Sequence, residues 1–313
     1  MEKTTELFVR YPGNPILTSA QLPYSANTLF NPAAVSLPDG KTLLLARVED
    51  FRGLSHLTAS RSIDGVKDWI FDSSPTLPPD LPGHPEEEWG TEDARVVFLP
   101  ELGLYAITYT AYSKRGPGVA LALTENFKQF ERYGLILPPE NKDAALFPVK
   151  INGRWALIHR PATGYGAHLW ISFSPDLRHW GDHQVLLEAR SGGWWDANKI
   201  GLSPPPIWTP KGWLVIYHGV RQNCAGCLYR LGLALFDLED PTHLLKRGDE
   251  WVFGPQETYE QLGDVGNVTF PCGTTLAPDG DTLRIYYGAA DSTIALAFAS
   301  LKQILAWLDE HNQ

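Results

Sequence analysis

The amino-acid sequence predicts an all-β protein, a five-bladed β-propeller that ends in a short C-terminal helix. Three observations predict this fold: a turn-plus-strand element recurs five times, its copies lie roughly 50 to 70 residues apart, and helical periodicity is almost absent before the C-terminal segment. That spacing suits one four-stranded blade per copy. We therefore expect residues 1–313 to form a single domain.

Each copy of the repeat is a tight turn followed by a mostly apolar strand, and a second short strand comes after it, so each unit contains a hairpin. The five copies are Asp39-Gly40 with Thr42–Glu49, Leu102-Gly103 with Leu104–Thr110, Asn152-Gly153 with Trp155–Arg160, Lys211-Gly212 with Trp213–His218, and Asp279-Gly280 with Leu283–Gly288. Their partner strands are Ser55–Ser60, Val119–Leu123, His168–Phe173, Arg230–Phe236 and Thr293–Phe298.

The C-terminal segment Ser300–Leu308 differs from the rest of the chain because its apolar residues recur at helical spacing. Ser300 precedes the first of them and is a favourable helix N-cap. The segment is therefore expected to form one packed helix, which could also serve as a contact in a homo-oligomer.

Charge and composition narrow the choice of partners. The chain has a net charge of −10 and a pI near 5.4 without basic clusters, so neither nucleic acid nor an anionic membrane is expected as a partner. The segment Met1–Glu6 lacks the pattern of a signal peptide, and no apolar run is long enough to span a bilayer. These features predict a cytoplasmic protein.

The cysteines and aromatic residues give weaker indications. Three cysteines, an odd number, fit a reducing compartment better than a disulfide framework. Cys224 and Cys227 form a C-x-x-C, but no second Cys or His pair follows at zinc spacing, so the pair is interpreted as coincidental. The 11 Trp, 12 Tyr and 13 Phe residues suggest aromatic-lined pockets of the kind that carbohydrate sites use.

The stretch from Glu86 to Val97 holds the candidate for acid catalysis. It contains five carboxylates and one arginine and runs into a strand, so its last acids should lie at a strand mouth. Asp93 is the candidate proton donor, with Trp89 as an apolar wall that would raise its pKa and Arg95 as a cation that would lower it. Local composition alone fits a solvated acidic loop as well.

Polar residues also stand just beyond the centres of several predicted strands. Equivalent strand ends converge around the axis of a propeller, so residues distant in sequence would become neighbours there. Taken singly, each fits a structural hydrogen-bonding role, and it is their recurrence at one register that indicates a site. These residues are Arg47, Glu49, Asp50, His159, Arg160, His218 and Asp291.

Longer motifs resemble glycoside hydrolase family 130, whose phosphorylases and hydrolases act on β-mannosides with a five-bladed propeller. They run through nearly the whole chain in order, and Ala94 is a departure, since the family motif more often has proline there. The motifs are Asn14–Leu17, Phe30–Ala33, Ala46–Asp50, Gly90–Arg95, Phe147-Pro148, His159–Pro161, Lys199–Gly201, Pro204–Ile207, Tyr217–Val220, Tyr229–Gly232 and Asn267–Gly273.

The resemblance implies roles for individual residues. Asp93 matches the catalytic aspartate, which passes a proton to the glycosidic oxygen by way of a sugar hydroxyl. Asn31 and Asp264 match residues that hold the mannosyl unit, and Arg47 matches a position beside the substrate. The positions around phosphate are matched by Arg160, Lys199, His218 and Tyr229.

The reaction implied is inverting phosphorolysis of a β-mannoside, of manno-oligosaccharide or mannosyl-glucose type, to α-D-mannose 1-phosphate and a shortened sugar. Inorganic phosphate is the co-substrate, and no metal or organic cofactor is required. Arg160, Lys199 and His218 are three potential cations on an acidic chain, which favours phosphate as the nucleophile. An inverting β-mannosidase would need a carboxylate base instead. That hydrolase and a non-catalytic glycan-binding propeller remain alternatives, and the β-1,4 or β-1,2 linkage is left open.

Overall fold

The computed structural model describes residues 7–79, 81–163, 166–224 and 226–312. The described chain consists mainly of antiparallel β-strands, which confirms the all-β prediction. The segment Met1–Glu6, on which the signal-peptide argument rests, lies outside the described residues. No helix in the described part of the chain has the length and apolar character needed to cross a membrane.

Two short N-terminal strands, β1 (Val9–Arg10) and β2 (Leu17–Thr18), precede a succession of antiparallel units. The first unit comprises β3 (Thr28–Ser36), β4 (Thr42–Glu49), β5 (Ser55–Ser62) and β6 (Ile70–Phe71). The second comprises β7 (Gly90–Leu99), β8 (Leu104–Ser113), β9 (Gly116–Thr124) and β10 (Glu131–Leu137).

The third unit follows the same plan, with one small extra strand. It comprises β11 (Asn141–Leu146), β12 (Trp155–Thr163), β13 (Gly166–Ala167), β14 (Leu169–Ser174) and β15 (Gly181–Leu187). The fourth comprises β16 (Lys199–Leu202), β17 (Ile207–Thr209), β18 (Gly212–Asn223), β19 (Gly226–Phe236) and β20 (Leu244–Arg247).

The fifth unit contains β21 (Thr269–Leu276), β22 (Thr282–Ala289) and β23 (Thr293–Ser300) together with β1 and β2, both of which pair with β23. Hydrogen bonds join the first two units into one sheet and the next two into another, through the short parallel contacts of β5 with β7 and of β13 with β16. The helices are α1 (Thr258–Gln261) and α2 (Leu301–Glu310), and short 3₁₀ turns cover Ser19–Gln21 and Pro85–Glu87.

The predicted repeat corresponds to the central hairpin of every unit. The five turn-plus-strand copies form β4, β8, β12, β18 and β22, and their predicted partners form β5, β9, β14, β19 and β23. Gly40 at the first turn has φ of +82°, a conformation that glycine adopts without steric cost, which explains the glycine there.

Five large clusters of buried apolar residues lie between successive units. Leu43 of the first unit packs with Val96 of the second, and equivalent clusters join the second unit to the third, the third to the fourth and the fourth to the fifth. The remaining cluster brings Leu44 of the first unit together with Tyr286 and Leu296 of the fifth. The core is therefore cyclic, because the last unit packs against the first.

The N-terminal strand β1 completes the fifth unit from the opposite end of the sequence. Val9 pairs with Phe298 and Arg10 with Ala297. Arg10 donates hydrogen bonds to buried Glu260 at 2.8 and 2.9 Å, which neutralises a carboxylate that would be costly to bury alone. Helix α2 follows β23 directly, and Ser300 accepts a hydrogen bond from the backbone N–H of Gln303, which confirms the predicted helix and its cap.

Candidate active site

The candidate site is built on one irregularity that recurs in the first strand of three successive units. The register shifts by a bulge between Phe30 and Ala33 in β3, between Glu92 and Arg95 in β7, and between Lys142 and Ala145 in β11. At these bulges stand three residues with left-handed backbones, a conformation in which Asn and Asp are enriched among non-glycine residues. They are Asn31 (φ 45°), Asp93 (φ 48°) and Asp143 (φ 53°).

The bulges turn polar side chains into a cavity of about 310 Å³, a size within the usual range for small-molecule sites. Seven of the eight residues selected from the sequence line this cavity, although they come from four different units. Those seven are Asn31, Arg47, Asp93, Arg160, Lys199, His218 and Tyr229. Asp264, the eighth, does not line it.

Asp93 is buried and receives two hydrogen bonds on the same oxygen. Asn31 Nδ2 donates to Asp93 Oδ1 at 2.9 Å, and Arg47 Nη1 lies 3.4 Å from that atom. Within the described residues, Oδ2 has no protein partner. Since Oδ1 is occupied by donors, Oδ2 is the oxygen that can carry a proton toward a ligand in the cavity.

Arg47 is held between carboxylates as well as beside Asp93. It lies 3.3 Å from both Glu49 and Glu92. Burial opposes its charge, but Asp93 and Glu92 outweigh burial and raise the pKa of Arg47 above its ordinary value. The guanidinium therefore stays charged and fixes the position of the candidate acid.

The sequence-based expectations about the surroundings of Asp93 are corrected in two respects. Arg95 does not bond the Asp93 carboxylate; its Nη1 donates to the backbone oxygen of Asp93 at 2.9 Å, and its Nη2 lies 3.3 Å from Asp143 Oδ1. Trp89 does not line the cavity. It packs edge-on against Tyr112 and is 44% exposed. Arg95 is thus a buried side chain that connects the bulge of β7 to the bulge of β11.

Asp143 was not selected from the sequence, yet it organises the cationic half of the cavity. Arg160 Nε donates to Asp143 Oδ2 at 2.8 Å, and His218 Nε2 lies 3.6 Å from the same atom. Burial opposes the charge of Asp143, but the guanidiniums of Arg160 and Arg95 outweigh burial and hold its pKa well below the usual range. An aspartate locked in this way positions cations and is a poor base.

Arg160, Lys199 and His218 were selected from the sequence as potential cations, and the structure leaves only Arg160 and Lys199 in that role. Burial lowers the pKa of His218 to about 3, so its ring is neutral at pH 7, where it lies against Phe270 with ring centroids 4.6 Å apart. Lys199 is partly buried, and both burial and the charge of Arg160 lower its pKa. Within the described residues no carboxylate lies within ion-pair distance of Lys199, which leaves its ammonium for a ligand.

Tyr229 adds a neutral donor on the same side of the cavity. Burial raises the pKa of its hydroxyl to about 12, so the group keeps its proton. Lys199 Nζ lies 5.4 Å from the centre of the Tyr229 ring. Arg160, Lys199, Tyr229 and neutral His218 therefore form a wall of donors suited to an oxyanion.

Asp291 is a further carboxyl that lines the cavity where Asp264 does not. Asp264 is exposed, accepts a hydrogen bond from Asn27 Nδ2 at 2.8 Å and stands next to Val265, which does line the cavity. Burial and then the charge of Asp93 raise the pKa of Asp291 to about 7, so it carries a proton part of the time near neutrality. The sequence did place Asp291 among the converging strand-end residues but gave it no role.

Other residues singled out in the sequence have structural partners. His159 is buried between Asn141 and Ser172, and burial lowers its pKa to about 3, so it is a neutral part of the core. In the acidic stretch, buried Glu87 accepts hydrogen bonds from Tyr109 and Arg132. These contacts explain the charge of Glu87 without a catalytic role.

The family model for beta-1,4-mannooligosaccharide phosphorylase, Glyco_hydro_130, matches residues 9–310. A Beta-1,4-mannooligosaccharide phosphorylase of Ruminococcus albus is 35% identical over 97% of this chain and 91% of its own. The solved structure of a Beta-1,2-Mannobiose phosphorylase from Listeria innocua, in complex with beta-1,2-mannobiose, has a TM-score of 0.87 at 31% identity and covers 97% of this chain and 99% of its own.

A third match widens the chemistry found among similar proteins. This solved structure is described with the statement that the GH130 family of mannoside phosphorylases contains glycoside hydrolases that target beta-1,2 mannosidic linkages in Candida mannan. Its TM-score is 0.83 at 27% identity, and the match covers 96% of each chain. A family model that spans nearly the whole chain, together with relatives above 30% identity over most of it, leaves one conclusion. The chain belongs to glycoside hydrolase family 130.

Proposed function

We propose that this protein is an inverting β-mannoside phosphorylase, which converts a β-mannoside and inorganic phosphate into α-D-mannose 1-phosphate and a sugar shortened by one unit. The observation that carries the proposal is that one cavity combines the carboxyl of Asp93 with the donor wall of Arg160, Lys199 and Tyr229. An inverting displacement needs an acid on one side of the anomeric carbon and a nucleophile on the other.

Asp93 is the proposed acid. Its Oδ2 releases a proton toward the glycosidic oxygen, by way of a sugar hydroxyl as the family resemblance implies, while the bond from the anomeric carbon to that oxygen breaks. A phosphate oxygen forms the new bond to the same carbon from the opposite face. Hydrogen phosphate brings one proton, which replaces the proton given up by Asp93, so the reaction balances without another reagent.

The donor wall is the proposed phosphate site. Asp143 accepts from Nε of Arg160 at 2.8 Å and so directs the rest of the guanidinium into the cavity, where it can grip two phosphate oxygens. Lys199 supplies a second charge, and Tyr229 and neutral His218 supply hydrogen bonds. Asn31 and Arg47, beside Asp93, would orient the mannosyl unit, with Asp264 at the rim closing over it.

Phosphorolysis is favoured over hydrolysis by the state of Asp143, the carboxylate that contacts the donor wall. A hydrolase needs a carboxylate base on the side of the attacking water. Asp143 is tied to Arg160 and Arg95, and its pKa is held well below the usual range, so it would accept a proton poorly. The hydrolase remains the second candidate because a similar family member is described as acting on beta-1,2 mannosidic linkages as a glycoside hydrolase.

The decisive experiment measures cleavage of β-1,4- and β-1,2-mannobiose with and without phosphate. We expect phosphate-dependent release of mannose together with α-mannose 1-phosphate, and Asp93→Asn should reduce it by a factor of about 10²–10⁴ while the fold is retained. Equal cleavage without phosphate would establish the hydrolase. Binding without turnover of any β-mannoside would establish a glycan-binding scaffold.

The five-bladed propeller and the single domain of residues 1–313 belong to the same proposal. They are supported by the cyclic order of the apolar clusters and by contacts of first strands in the sequence β21–β3–β7–β11–β16. Free thiols on the three cysteines are in keeping with a cytoplasmic location. Neither a metal nor an organic cofactor takes part, and helix α2 is the proposed contact if the chain forms a homo-oligomer.

A further inference from the structure

A second cavity, of about 850 Å³, lies on the other face of the hairpin that forms part of the reaction cavity. In β18 and β19, Gly219 pairs with Arg230 and Val220 pairs with Tyr229. Successive side chains of a strand point to opposite faces, so Tyr229 faces the reaction cavity while Arg230 and Arg221 face the second one. Both arginines line this second cavity.

Two glycines of this hairpin, Gly219 and Gly232, have no side chains, and the ring of Trp195 packs directly against their backbone. A Cβ atom on Gly219 would lie 2.5 Å from the ring of Trp195, and one on Gly232 would also lie 2.5 Å from that ring. Trp195 is buried and stacks on Tyr217 with ring centroids 5.7 Å apart. The same hairpin therefore forms part of the wall of both cavities.

The second cavity offers two aromatic surfaces to solvent. Trp194 is 37% exposed and Trp251 is 38% exposed, and both line the cavity. Each indole has an arginine over its face: Arg190 lies 4.5 Å from the ring centre of Trp194, and Arg230 lies 4.8 Å from that of Trp251. These contacts hold the rings in place as flat platforms of the kind on which the apolar faces of sugars stack.

Unsatisfied polar groups stand next to the platforms. Asp249 Oδ1 is shielded from solvent without a hydrogen-bond partner, which in a native protein indicates a missing donor. Arg230 has no ion-pair or hydrogen-bond partner among the described residues, and burial and the like charge of Arg221 lower its pKa. The lining thus offers both an acceptor and donors.

The charge of the lining favours a neutral ligand over an anion. Three arginines line the cavity, but Arg10 is ion-paired with buried Glu260, and the charges of Arg221 and Arg230 are matched by those of Asp249 and Glu250. A phosphate-type ligand would meet as much negative as positive charge there. Hydroxyl groups, which donate and accept, satisfy such a mixture.

We infer that the second cavity is a remote saccharide-binding site, which holds units of a β-mannoside chain that extend beyond the reaction cavity. The choice of a mannoside rests on the proposed function, whereas the choice of a neutral saccharide rests on Trp194, Trp251, Asp249 and the paired charges. At about 310 Å³ the reaction cavity accommodates only the end of an oligosaccharide. A second binding site on the opposite face of the β18–β19 hairpin would raise the affinity for long saccharide chains relative to short ones.

The test compares mannobiose with mannohexaose of the same linkage in phosphate-dependent turnover. Trp251→Ala is expected to raise the KM for mannohexaose by about three- to tenfold, the loss of one aromatic contact, and to leave the KM for mannobiose unchanged. Trp194→Ala should act in the same direction. Trp208→Ala, which removes a tryptophan that is 58% exposed outside this cavity, is the matched control.

Equal effects of Trp251→Ala on both substrates, or no effect on either, would overturn the inference. If the wild-type protein turns over neither substrate, the proposed function fails, and calorimetry with mannohexaose then decides the second cavity separately. Binding to the wild type that weakens in Trp251→Ala would support a saccharide site there. Binding that is absent, or unchanged by the substitution, would refute it.

Discussion

Asp291 gives a stability prediction that depends on its environment alone. Its carboxyl is largely buried beside Asp93, and its pKa is raised from the ordinary value 3.8 to about 7. A raised pKa means that the folded protein prefers the protonated acid, whereas the unfolded chain ionises near pH 4. The group's stabilising contribution is therefore complete below the unfolded pKa and is lost as the pH rises toward 7.

The size of this loss follows from the two pKa values. Shifting a carboxyl from 3.8 to about 7 is equivalent to about 4 kcal/mol, and about 2.5 kcal/mol of that falls between pH 5 and pH 8. Asp291→Asn keeps the shape of the protonated acid and cannot ionise. The variant should therefore gain about 2.5 kcal/mol of unfolding free energy relative to the wild type over this range.

The assay is urea unfolding followed by tryptophan fluorescence at pH 5, 6, 7 and 8, with both proteins measured in parallel. Asp68→Asn is the matched control, because Asp68 has the same left-handed backbone (φ 54° against 48° for Asp291) but is exposed. A difference between variant and wild type that stays constant with pH, or that grows as the pH falls, would refute the reasoning.

Three further substitutions test the geometry of the site. A Cβ on Gly288 would lie 2.0 Å from Asn31 Oδ1, so Gly288→Ala should displace the donor to the candidate acid and lower kcat by about ten- to a hundredfold in the mannobiose assay. A Cβ on Gly201 would lie 2.4 Å from Asp143 Oδ2, so Gly201→Ala should cost about 1–3 kcal/mol in urea unfolding and raise the KM for phosphate. Arg160→Ala removes a charged phosphate donor and should raise that KM by about ten- to a hundredfold in initial-rate measurements.

These substitutions share a simple control. Gly181→Ala adds the same methyl group where no atom lies within 4 Å, so it should change neither stability nor kinetics by a measurable amount. Circular dichroism of each variant verifies that the sheet content is retained. Wild-type KM values for phosphate in Gly201→Ala and Arg160→Ala would contradict the assignment of the donor wall, and a wild-type kcat in Gly288→Ala would contradict the role of Asn31.

The hairpins could be predicted from the sequence because their signals are local. Each pairs a turn such as Asp39-Gly40 with a run of apolar residues, and such strands need no distant information to be recognised. The pairing of β1 with β23 could not be predicted in this way, since the two strands lie at opposite ends of the chain and nothing in Val9 or Arg10 specifies their partner.

The bulges explain which site residues were found and which were missed. Asp93-Ala94-Arg95 and Asp143-Ala144-Ala145 occupy equivalent bulges in β7 and β11, so a comparison of these two stretches is the sequence signal that could have identified Asp143. The sequence placed Asp291 at a strand end and the family resemblance selected Asp264, but which of the two lines the cavity depends on burial, which the sequence does not contain. The charge of His218 likewise depends on burial that the sequence does not contain.

The late completion of the fifth sheet has a consequence for biosynthesis. Residues 9 and 10 are synthesised before every hairpin described above, yet their hydrogen-bonding partners, Ala297 and Phe298, are synthesised after all the earlier units. The nascent chain must therefore keep its leading segment unpaired while the earlier hairpins form, and closing so long a segment costs entropy that only the finished core offsets. Synthesis of β23, rather than of any earlier hairpin, is therefore the step that allows the fifth sheet to be completed.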